Sequence, residues 1–138
     1  MSLNQFSRTE LLIGKEGIEK LNKAKVAVFG IGGVGSYTVE GLARVGIGHL
    51  IIVDYDKYDI TNLNRQLGAL HSTIGQYKVD VMKERLLDIN PNAIVEAYKP
   101  DEIEKEYDIH FNEKYVVKSR KVSYVKDGKK VEEEREIF

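Results

Sequence analysis

A glycine-rich loop that follows a short apolar segment is the feature that most constrains how this chain folds. Residues Lys25–Phe29 (KVAVF) are almost entirely apolar, and they run directly into Gly30–Gly35 (GIGGVG). An apolar run of this kind is typical of a parallel strand that is covered on both faces. The loop has the spacing GxGxxG, which joins such a strand to a helix in nucleotide-binding folds. The sequence therefore predicts a strand, a phosphate-binding turn and a helix, in that order.

The segments after the loop repeat the alternation of helix and strand. A second apolar strand is predicted at His49–Asp54, a helix at Lys78–Asn90 and a third strand at Ile94–Tyr98, with Pro91 ending the helix. The helix that follows the loop has apolar residues at helical spacing, namely Val34, Val39, Leu42 and Val45. The order βαβαβ predicts an α/β fold with a Rossmann-like parallel sheet, as the N-terminal half of a doubly wound sheet.

The chain begins with a predicted helical lead-in to the first strand. Ser7 and Glu10 have the spacing of a capping box, in which a hydroxyl and a carboxylate satisfy the free amides at a helix start. The apolar stripe that follows is interrupted at Gly14. Arg8 lies beside this cap, where a solvated surface arginine is the simple interpretation.

Each glycine of the loop has an expected role. Gly30 permits the tight turn, Gly32 lets the backbone approach a phosphate, and Gly35 lets the helix pack closely on the strand. Asp54 follows the second strand and lies 19 residues after Gly35, which places it to accept hydrogen bonds from a ribose. The alternative for Asp54 is a solvated acid at a strand end. A nucleotide ligand is predicted, and the loop alone does not say which one.

A polar cluster behind Asp54 separates two classes of nucleotide. Asn62, Arg65, Gln66 and Lys78 provide carboxamides, a guanidinium and an ammonium that could converge on the loop, where a triphosphate needs its charge neutralised. A dehydrogenase has no use for this cluster. The alternative for Arg65 and Lys78 is that they are ordinary surface cations.

These motifs together resemble a known enzyme family. The motifs lie in the segments GIGGVGS, GIGHLIIVDYDKYDITNLNRQ and GQYKVDVMKERLLDINP. They resemble the adenylating enzymes of the ThiF, MoeB and HesA type, which are relatives of the ubiquitin-activating enzymes. Within that superfamily the chain is most similar to the bacterial tRNA threonylcarbamoyladenosine dehydratases. The resemblance covers about residues 6 to 97.

The resemblance implies ATP-dependent activation of a carboxylate as an acyl-adenylate, with release of pyrophosphate and with Mg²⁺ as the accompanying ion. It implies that Gly32 and Gly33 lie at the phosphates and Asp54 at the ribose. Three further residues would hold the phosphates and steady the transition state, namely Asn62, Arg65 and Lys78. Fixed cations stabilise the charge of such a transition state.

The resemblance also implies partners. Arg8 matches an N-terminal arginine that reaches into the site of a partner subunit, which implies a homodimer. The substrate would be a tRNA or, alternatively, a ubiquitin-like sulfur-carrier protein. Two other classes stay open: a fragment of an NAD- or FAD-binding oxidoreductase, and a nucleotide-binding module without catalysis.

Composition divides the chain after Tyr98. The net charge is −1, but more than half of residues 99–138 are charged, against less than a quarter of residues 1–98. We therefore expect an ATP-binding half-domain over 1–98 and a charged segment of unknown role over 99–138. Strand-like alternation on both sides of Asp127-Gly128 predicts a β-hairpin in that segment, with a disordered tail as the alternative.

The charged segment stands where the family continues into a second half-sheet. That half begins with a strand and an Asp-rich turn whose acid helps to hold magnesium, and no matching turn is found here. The metal ligand is therefore unknown. We expect the chain to be cut short or divergent relative to the family, which leaves open whether it is active alone. Without a fourth strand, the strand Lys25–Phe29 would be an open edge, which we expect the tail hairpin, a second subunit or both to cover.

Cellular location is inferred from what the sequence lacks. It has no cysteine, no apolar core near its N-terminus and no apolar run long enough to cross a bilayer. These features predict a cytoplasmic protein with no membrane partner. The absence of cysteine also leaves no nucleophile in this chain for a thioester step, which favours adenylation without transfer to an enzyme thiol.

Overall fold

A computed structural model describes residues 2–99, 109–110, 119–126 and 128–136 of the chain. The helices are α1 (Ser7–Lys23), α2 (Gly33–Val45) and α3 (Lys78–Ile89), and a short 3-10 helix spans Ile60–Asn62. The strands are β1 (Lys25–Phe29), β2 (His49–Val53), β3 (Ile94–Tyr98), β4 (Ile109–His110), β5 (Ser119–Lys126) and β6 (Lys129–Glu136). No helix in the described ranges is long and apolar enough to span a membrane.

The first three strands form a parallel sheet in the order β1-β2-β3. Val26 lies beside Leu50, which lies beside Val95, so these three side chains emerge on the same face. The crossovers from β1 to β2 and from β2 to β3 contain α2 and α3 respectively. The predicted βαβαβ order and the Rossmann-like fold class are therefore confirmed.

Both crossover helices cover the same face of this sheet. The buried core joins Val39 of α2, Met82 of α3 and Ile52 of β2. Parallel crossovers are right-handed, so two crossovers that proceed in one direction place both helices on one side. The expectation that β1 is covered on both faces is therefore wrong: Lys25 and Ala27, on the other face, are exposed.

The helix α1 is divided by a break at Gly14, whose φ of 73° and ψ of 170° are not helical. The half after Gly14 carries the buried Ile18, whereas Leu12 in the half before it is 87% exposed. The predicted capping box is wrong, because the helix begins at Ser7 itself and the Ser7 hydroxyl accepts a hydrogen bond from the Asn4 amide. The Ser7 amide, at the helix start, donates to the Asn4 carbonyl oxygen at 3.1 Å.

The last three strands form a separate antiparallel sheet in the order β4-β5-β6. The strands β5 and β6 make a hairpin with Lys126 opposite Lys129 and Gly128 in the turn at a φ of 75°. The hairpin prediction is confirmed over these strands. Residues 115–118 and Asp127, which the prediction also includes, lie outside the described residues. Among the described strands none pairs with the free edge of β1, so the alternative that the hairpin covers this edge as a neighbouring strand is wrong. A second subunit at that edge stays a prediction.

Candidate functional site

A cavity of about 900 Å³ lies at the carboxyl end of β1, where the glycine loop enters α2. Its walls are the free edge of β1, the loop itself and the face of α2 that carries Thr38 and Leu42. Its charged and carboxamide residues come from the connection between β2 and α3 and from the first residue of α3. They are Asp56, Asn62, Arg65, Gln66 and Lys78. Ligands of parallel α/β sheets bind at this end of the strands.

The geometry of the loop requires glycine at two positions. Gly30 has a φ of 85°, and its amide donates to the Val53 carbonyl oxygen at 2.7 Å, which ties the loop to β2. A Cβ atom on Gly35 would lie 1.8 Å from the Gly30 carbonyl oxygen, so no side chain fits there. Gly32 and Gly33 lie against the side chains of Gln66 and Arg65. The loop is therefore closely fitted to the polar residues that face it.

Asp54 holds the glycine loop in place through hydrogen bonds to backbone amides. Its Oδ2 accepts a hydrogen bond from the Ile31 amide and its Oδ1 accepts one from the Asp56 amide, each at 2.9 Å. Burial raises the pKa of Asp54, and the two amides offset part of that effect. Asp54 is only 3% exposed and does not line the cavity. The expected ribose contact stays a prediction, and the contacts present hold the loop to the end of β2.

Lys78 and Asp56 form the charged pair of the cavity. The Lys78 ammonium lies 3.4 Å from Oδ2 of Asp56, and the Lys78 amide donates to the Asp56 carbonyl oxygen at 2.9 Å. Only 4% of the Lys78 side chain is exposed, against 44% of the Asp56 side chain. A buried ammonium is costly unless an anion is near. Lys78 is therefore held at the first residue of α3, where an anionic ligand has little competing solvent.

The 3-10 helix positions the second part of the site. Oδ1 of Asn62 accepts a hydrogen bond from the Asp59 amide at 2.9 Å, and Oδ1 of Asp59 accepts one from the Thr61 amide at 2.8 Å. These reciprocal bonds form a capping box that fixes the turn. The hydrogen bonds from Thr61 lower the pKa of Asp59. Asp59 is therefore a turn-forming acid and does not line the cavity.

Two residues that follow this turn face the loop. Nη1 of Arg65 donates to the Thr61 carbonyl oxygen at 3.1 Å and to Oδ1 of Asn64 at 2.9 Å, which holds the exposed guanidinium beside Gly33. Gln66 is 7% exposed, and its amide oxygen is buried without a hydrogen-bond partner. A buried acceptor of this kind costs free energy until a donor reaches it. The Gln66 atom nearest the loop is Nε2, 3.5 Å from where a Cβ atom on Gly32 would lie, so Gln66 presents a donor on the loop side.

Most of the predicted site residues meet in this cavity. It is lined by the predicted loop glycines and by the four polar residues Asn62, Arg65, Gln66 and Lys78. The sequence reasoning did not include Asp56 in the site, although its position two residues after Asp54 is a signal. Arg8 lies outside the cavity: it follows Phe6, whose ring packs on Gly46 at the far end of α2. The 13 residues of α2 separate that end from the loop by about 20 Å.

The donor set of the cavity fits a nucleotide phosphate better than a protein-bound metal ion. Asp56 is the one carboxylate among the lining residues, and Lys78 contacts it. In the ranges that the structure describes, no group of three His, Cys, Asp or Glu residues could hold a metal. For a nucleotide, the two cations, the carboxamides of Asn62 and Gln66 and the N-terminus of α2 are complementary to phosphates and hydroxyls.

Comparison with known proteins gives close relatives. tRNA threonylcarbamoyladenosine dehydratase of Bacillus subtilis is 56% identical over 110 residues, which are 80% of this chain and 43% of that protein. The protein of the same name from Escherichia coli is 43% identical over 66% of this chain and 34% of its own length. Ubiquitin-like modifier-activating enzyme 5 of Bombyx mori is 46% identical over 69% of this chain and 25% of its own length. The chain thus spans less than half the length of these relatives.

Solved structures that resemble this chain include a protein of the same name. The E. coli dehydratase in complex with ATP matches with a TM-score of 0.69 and 37% identity, over 78% of this chain and 46% of that one. E. coli MccB with ATP matches with a TM-score of 0.66 and 34% identity, over 71% of this chain and 31% of that one. The family model of the ThiF family matches residues 6–122. The chain therefore belongs to the ThiF family.

Proposed function

We propose that this chain binds ATP in the cavity and takes part in activating a carboxylate as an acyl-adenylate. The observation that carries the proposal is the convergence of the glycine loop with Arg65 and Lys78 around one cavity. Two cations beside the N-terminus of a helix complement a triphosphate. The triphosphate carries the concentrated negative charge of the nucleotide, which its base and ribose do not. The ATP complexes of the matched E. coli dehydratase and of MccB support the same ligand.

The chemistry needs positioned charge more than a proton acceptor. A carboxylate is ionised near neutral pH, so its oxygen can attack the α-phosphorus without losing a proton. The bond from the α-phosphorus to the bridging oxygen breaks, and pyrophosphate leaves with the electron pair. No histidine lines the cavity as described, which agrees with this requirement. Arg65 and Lys78 would neutralise the charge that accumulates on the phosphates.

The remaining site residues have supporting roles in this proposal. Gln66 would donate from Nε2, which lies on the side of Gly32, to the nucleotide. Asn62 would hold the turn that presents Arg65. Asp54 would fix the loop and, if the loop moves on binding, reach the ribose. Magnesium would accompany ATP as the solution complex.

We propose the threonylcarbamoyl carboxylate of a tRNA as the substrate. The Bacillus subtilis relative named for that modification is 56% identical over 80% of this chain, against 46% over 69% for the ubiquitin-like modifier-activating enzyme of Bombyx mori. Activation of the carboxylate also accounts for a dehydration. A nucleophilic group of the same substrate attacks the activated carbon and displaces AMP, and AMP carries away one carboxylate oxygen. A ubiquitin-like carrier protein with a C-terminal carboxylate is the alternative substrate.

We propose that the site works in a homodimer, with Arg8 acting on the partner's cavity. Arg8 lies near the far end of α2, about 20 Å from the glycine loop, and so cannot reach the phosphate-binding end of its own cavity. It lies in the exposed first half of α1, next to Leu11 and Leu12, which are 84% and 87% exposed. Neighbouring exposed leucines on one helix favour contact with another surface.

Two measurements test the proposed function. Calorimetric titration of the whole chain with ATP, AMP and NAD should give binding of ATP and none of NAD; the reverse result would falsify the proposal. Pyrophosphate exchange into ATP should then depend on added threonylcarbamoyl-tRNA. Exchange that requires a ubiquitin-like protein would identify the alternative substrate, and ATP binding without any exchange would identify a non-catalytic module.

A further inference from the structure

A buried tyrosine faces the lysine of the cavity without lining the cavity itself. Tyr58 is 2% exposed, and the Lys78 ammonium lies 5.9 Å from the centre of its ring. At this distance the face of an aromatic ring still attracts a cation. One short segment of the chain thus brings two groups to Lys78: the carboxylate of Asp56 at 3.4 Å and, two residues later, the ring.

The backbone fixes the position of the ring relative to the lysine. The Tyr58 amide donates to the Gln76 carbonyl oxygen at 2.9 Å, and the Tyr58 carbonyl oxygen accepts from the Gly75 amide at 2.8 Å. The Lys78 amide donates to the Asp56 carbonyl oxygen at 2.9 Å. These hydrogen bonds tie the segment that carries the ring to the start of α3. The ring is therefore held beside the lysine by the fold and not by a flexible connection.

The contact with Lys78 uses the ring of Tyr58 and not its hydroxyl group. Within the part of the chain that the structure describes, the buried hydroxyl has no hydrogen-bond partner. A Cβ atom on Gly68 would collide with this hydroxyl, so glycine makes room for it. Burial, reinforced by the charge of Asp54, raises the pKa of Tyr58. The side chain therefore stays neutral near pH 7.

A ring and a carboxylate stabilise a buried ammonium in different ways. The Asp56 carboxylate supplies a full negative charge, which also weakens the attraction of Lys78 for any other anion. The ring supplies only the negative face of a neutral quadrupole, so it stabilises the ammonium and leaves its charge available to a ligand. The Asp56 side chain is 44% exposed, whereas Tyr58 is enclosed. Of these two groups, the carboxylate is the one that can turn away when an anion enters.

We propose that Tyr58 is a positioning residue for Lys78, and that its ring holds the ammonium in the cavity when Asp56 turns toward water. This inference rests on the proposed function, because it names a group on which the ATP site depends. Tyr58 does not line the cavity, so it would act on the phosphates through Lys78. The strength of ATP binding should therefore depend on an aromatic ring at position 58.

The first test compares two substitutions of Tyr58 by calorimetry with ATP. Tyr58→Phe keeps the ring and removes only a hydroxyl that has no partner among the described residues, so its ATP affinity should stay within about twofold. Tyr58→Leu removes the ring, and ATP affinity should fall by about three- to thirtyfold, the range expected of a cation beside an aromatic ring.

The matched control is Tyr77→Leu. The ring of Tyr77 lies 4.8 Å and 4.5 Å from the ammonium groups of Lys57 and Lys99, and neither lysine lines the cavity. This variant therefore loses a ring from beside two other lysines of the same region. Its ATP affinity should stay within about twofold of that of the unmutated chain.

A double-mutant cycle separates a role through Lys78 from a merely structural one. In the Lys78→Met background the ring has no ammonium to hold, so Tyr58→Leu should cause no further loss of ATP affinity. Urea unfolding without nucleotide gives a second cycle and reports whether each variant folds. The decrease in midpoint caused by Tyr58→Leu should be smaller in the Lys78→Met background than in the unmutated one.

Three outcomes would overturn the inference: undiminished ATP affinity in Tyr58→Leu, an equal loss in Tyr58→Phe, or the same further loss with and without the lysine. Each of them is observed in a chain that binds ATP. Failure of the proposed function has a different signature, since the unmutated chain would then bind no ATP. The unfolding cycle needs no nucleotide and would still show whether the ring holds Lys78.

Discussion

The ammonium group of Lys78 lies 3.4 Å from Oδ2 of Asp56, although Lys78 is almost entirely buried and Asp56 is half exposed. The pair is therefore asymmetric. When an anion enters, the exposed side chain of Asp56 can turn toward water, whereas the buried side chain of Lys78 has no comparable access to solvent. This asymmetry makes Lys78 the cation on which ATP affinity should depend most.

Lys78→Met should reduce ATP affinity by about tenfold or more while leaving the fold intact. A hydrogen bond to a charged group is worth about 1.5–3 kcal/mol, and methionine keeps most of the apolar volume of the lysine stem. Calorimetry with ATP is the measurement. Lys83→Met, an exposed position of the same helix, is the control; equal ATP affinity in both variants would contradict the assigned role.

Gln66→Leu should have opposite effects on stability and on binding. The buried amide oxygen has no partner, so its removal should leave the free energy of unfolding without ligand unchanged or raise it by up to about 1 kcal/mol. ATP affinity should fall, because the ligand loses a polar contact. Urea unfolding and calorimetry would show the two effects. A parallel loss of both would mean that Gln66 is only structural.

Gly35→Ala and Gly41→Ala should differ, although both lie in α2. A Cβ atom at position 35 collides with the Gly30 carbonyl oxygen, whereas one at position 41 meets nothing within 4 Å. We expect Gly35→Ala to lose about 1–3 kcal/mol of unfolding free energy and its ATP binding. Gly41→Ala should gain up to about 1 kcal/mol, because alanine favours helix. Similar stabilities in the two variants would show that the loop adjusts freely.

Asp54→Asn should destabilise the chain by about 1–3 kcal/mol, because an asparagine NH2 group cannot accept from one of the two amides that Asp54 now satisfies. The pKa of Asp54 is raised by burial, so its protonation favours the folded state. This contribution is fully present below the unfolded pKa of about 3.9 and is lost as the pH rises through the folded pKa. The advantage of the unmutated chain over the variant should therefore shrink as the pH rises.

The opposite pH dependence is expected of Glu40, which links α2 to α3. Its carboxylate accepts hydrogen bonds from Arg85 at 3.1 and 3.2 Å and from Arg44 at 2.8 Å. Burial raises the pKa of Glu40, but the two arginines outweigh it and the pKa is lowered. The stabilisation is present above the unfolded pKa and is lost as the pH falls through the folded one.

Glu40→Gln should therefore cost about 1–2 kcal/mol at pH 7 and much less in acid. Arg44→Gln, whose partner retains Arg85, should cost less than about 1 kcal/mol. Urea unfolding at pH 7 and pH 3 compares them. A pH-independent difference between Glu40→Gln and the unmutated chain would refute this account.

The sequence predicted the elements that local patterns determine. The glycine spacing located the loop, and apolar periodicity located α2, α3 and the three parallel strands. The convergence of Asn62, Arg65, Gln66 and Lys78 was also predictable, since parallel strands present their carboxyl ends to one edge. The partners of Asp54 were not, because a ribose and a backbone amide make the same demand on a carboxylate.

Properties that depend on which face a helix covers escaped prediction. The composition of β1 is that of a strand with two covered faces, and only the direction of the two crossovers shows that one face is open. The contact between the Tyr58 ring and Lys78 was equally hidden, because no local pattern indicates that the segment after β2 folds onto the start of α3.

The break at Gly14 divides α1 into two units that should open independently. The amides after it belong to a segment anchored by Ile18 in the core, and their hydrogen exchange should require a large-scale opening of the domain. The amides before it belong to barely two turns of helix, too short to persist without packing. They should exchange rapidly in an isolated subunit. Slower exchange of these amides would show that the segment packs against another surface.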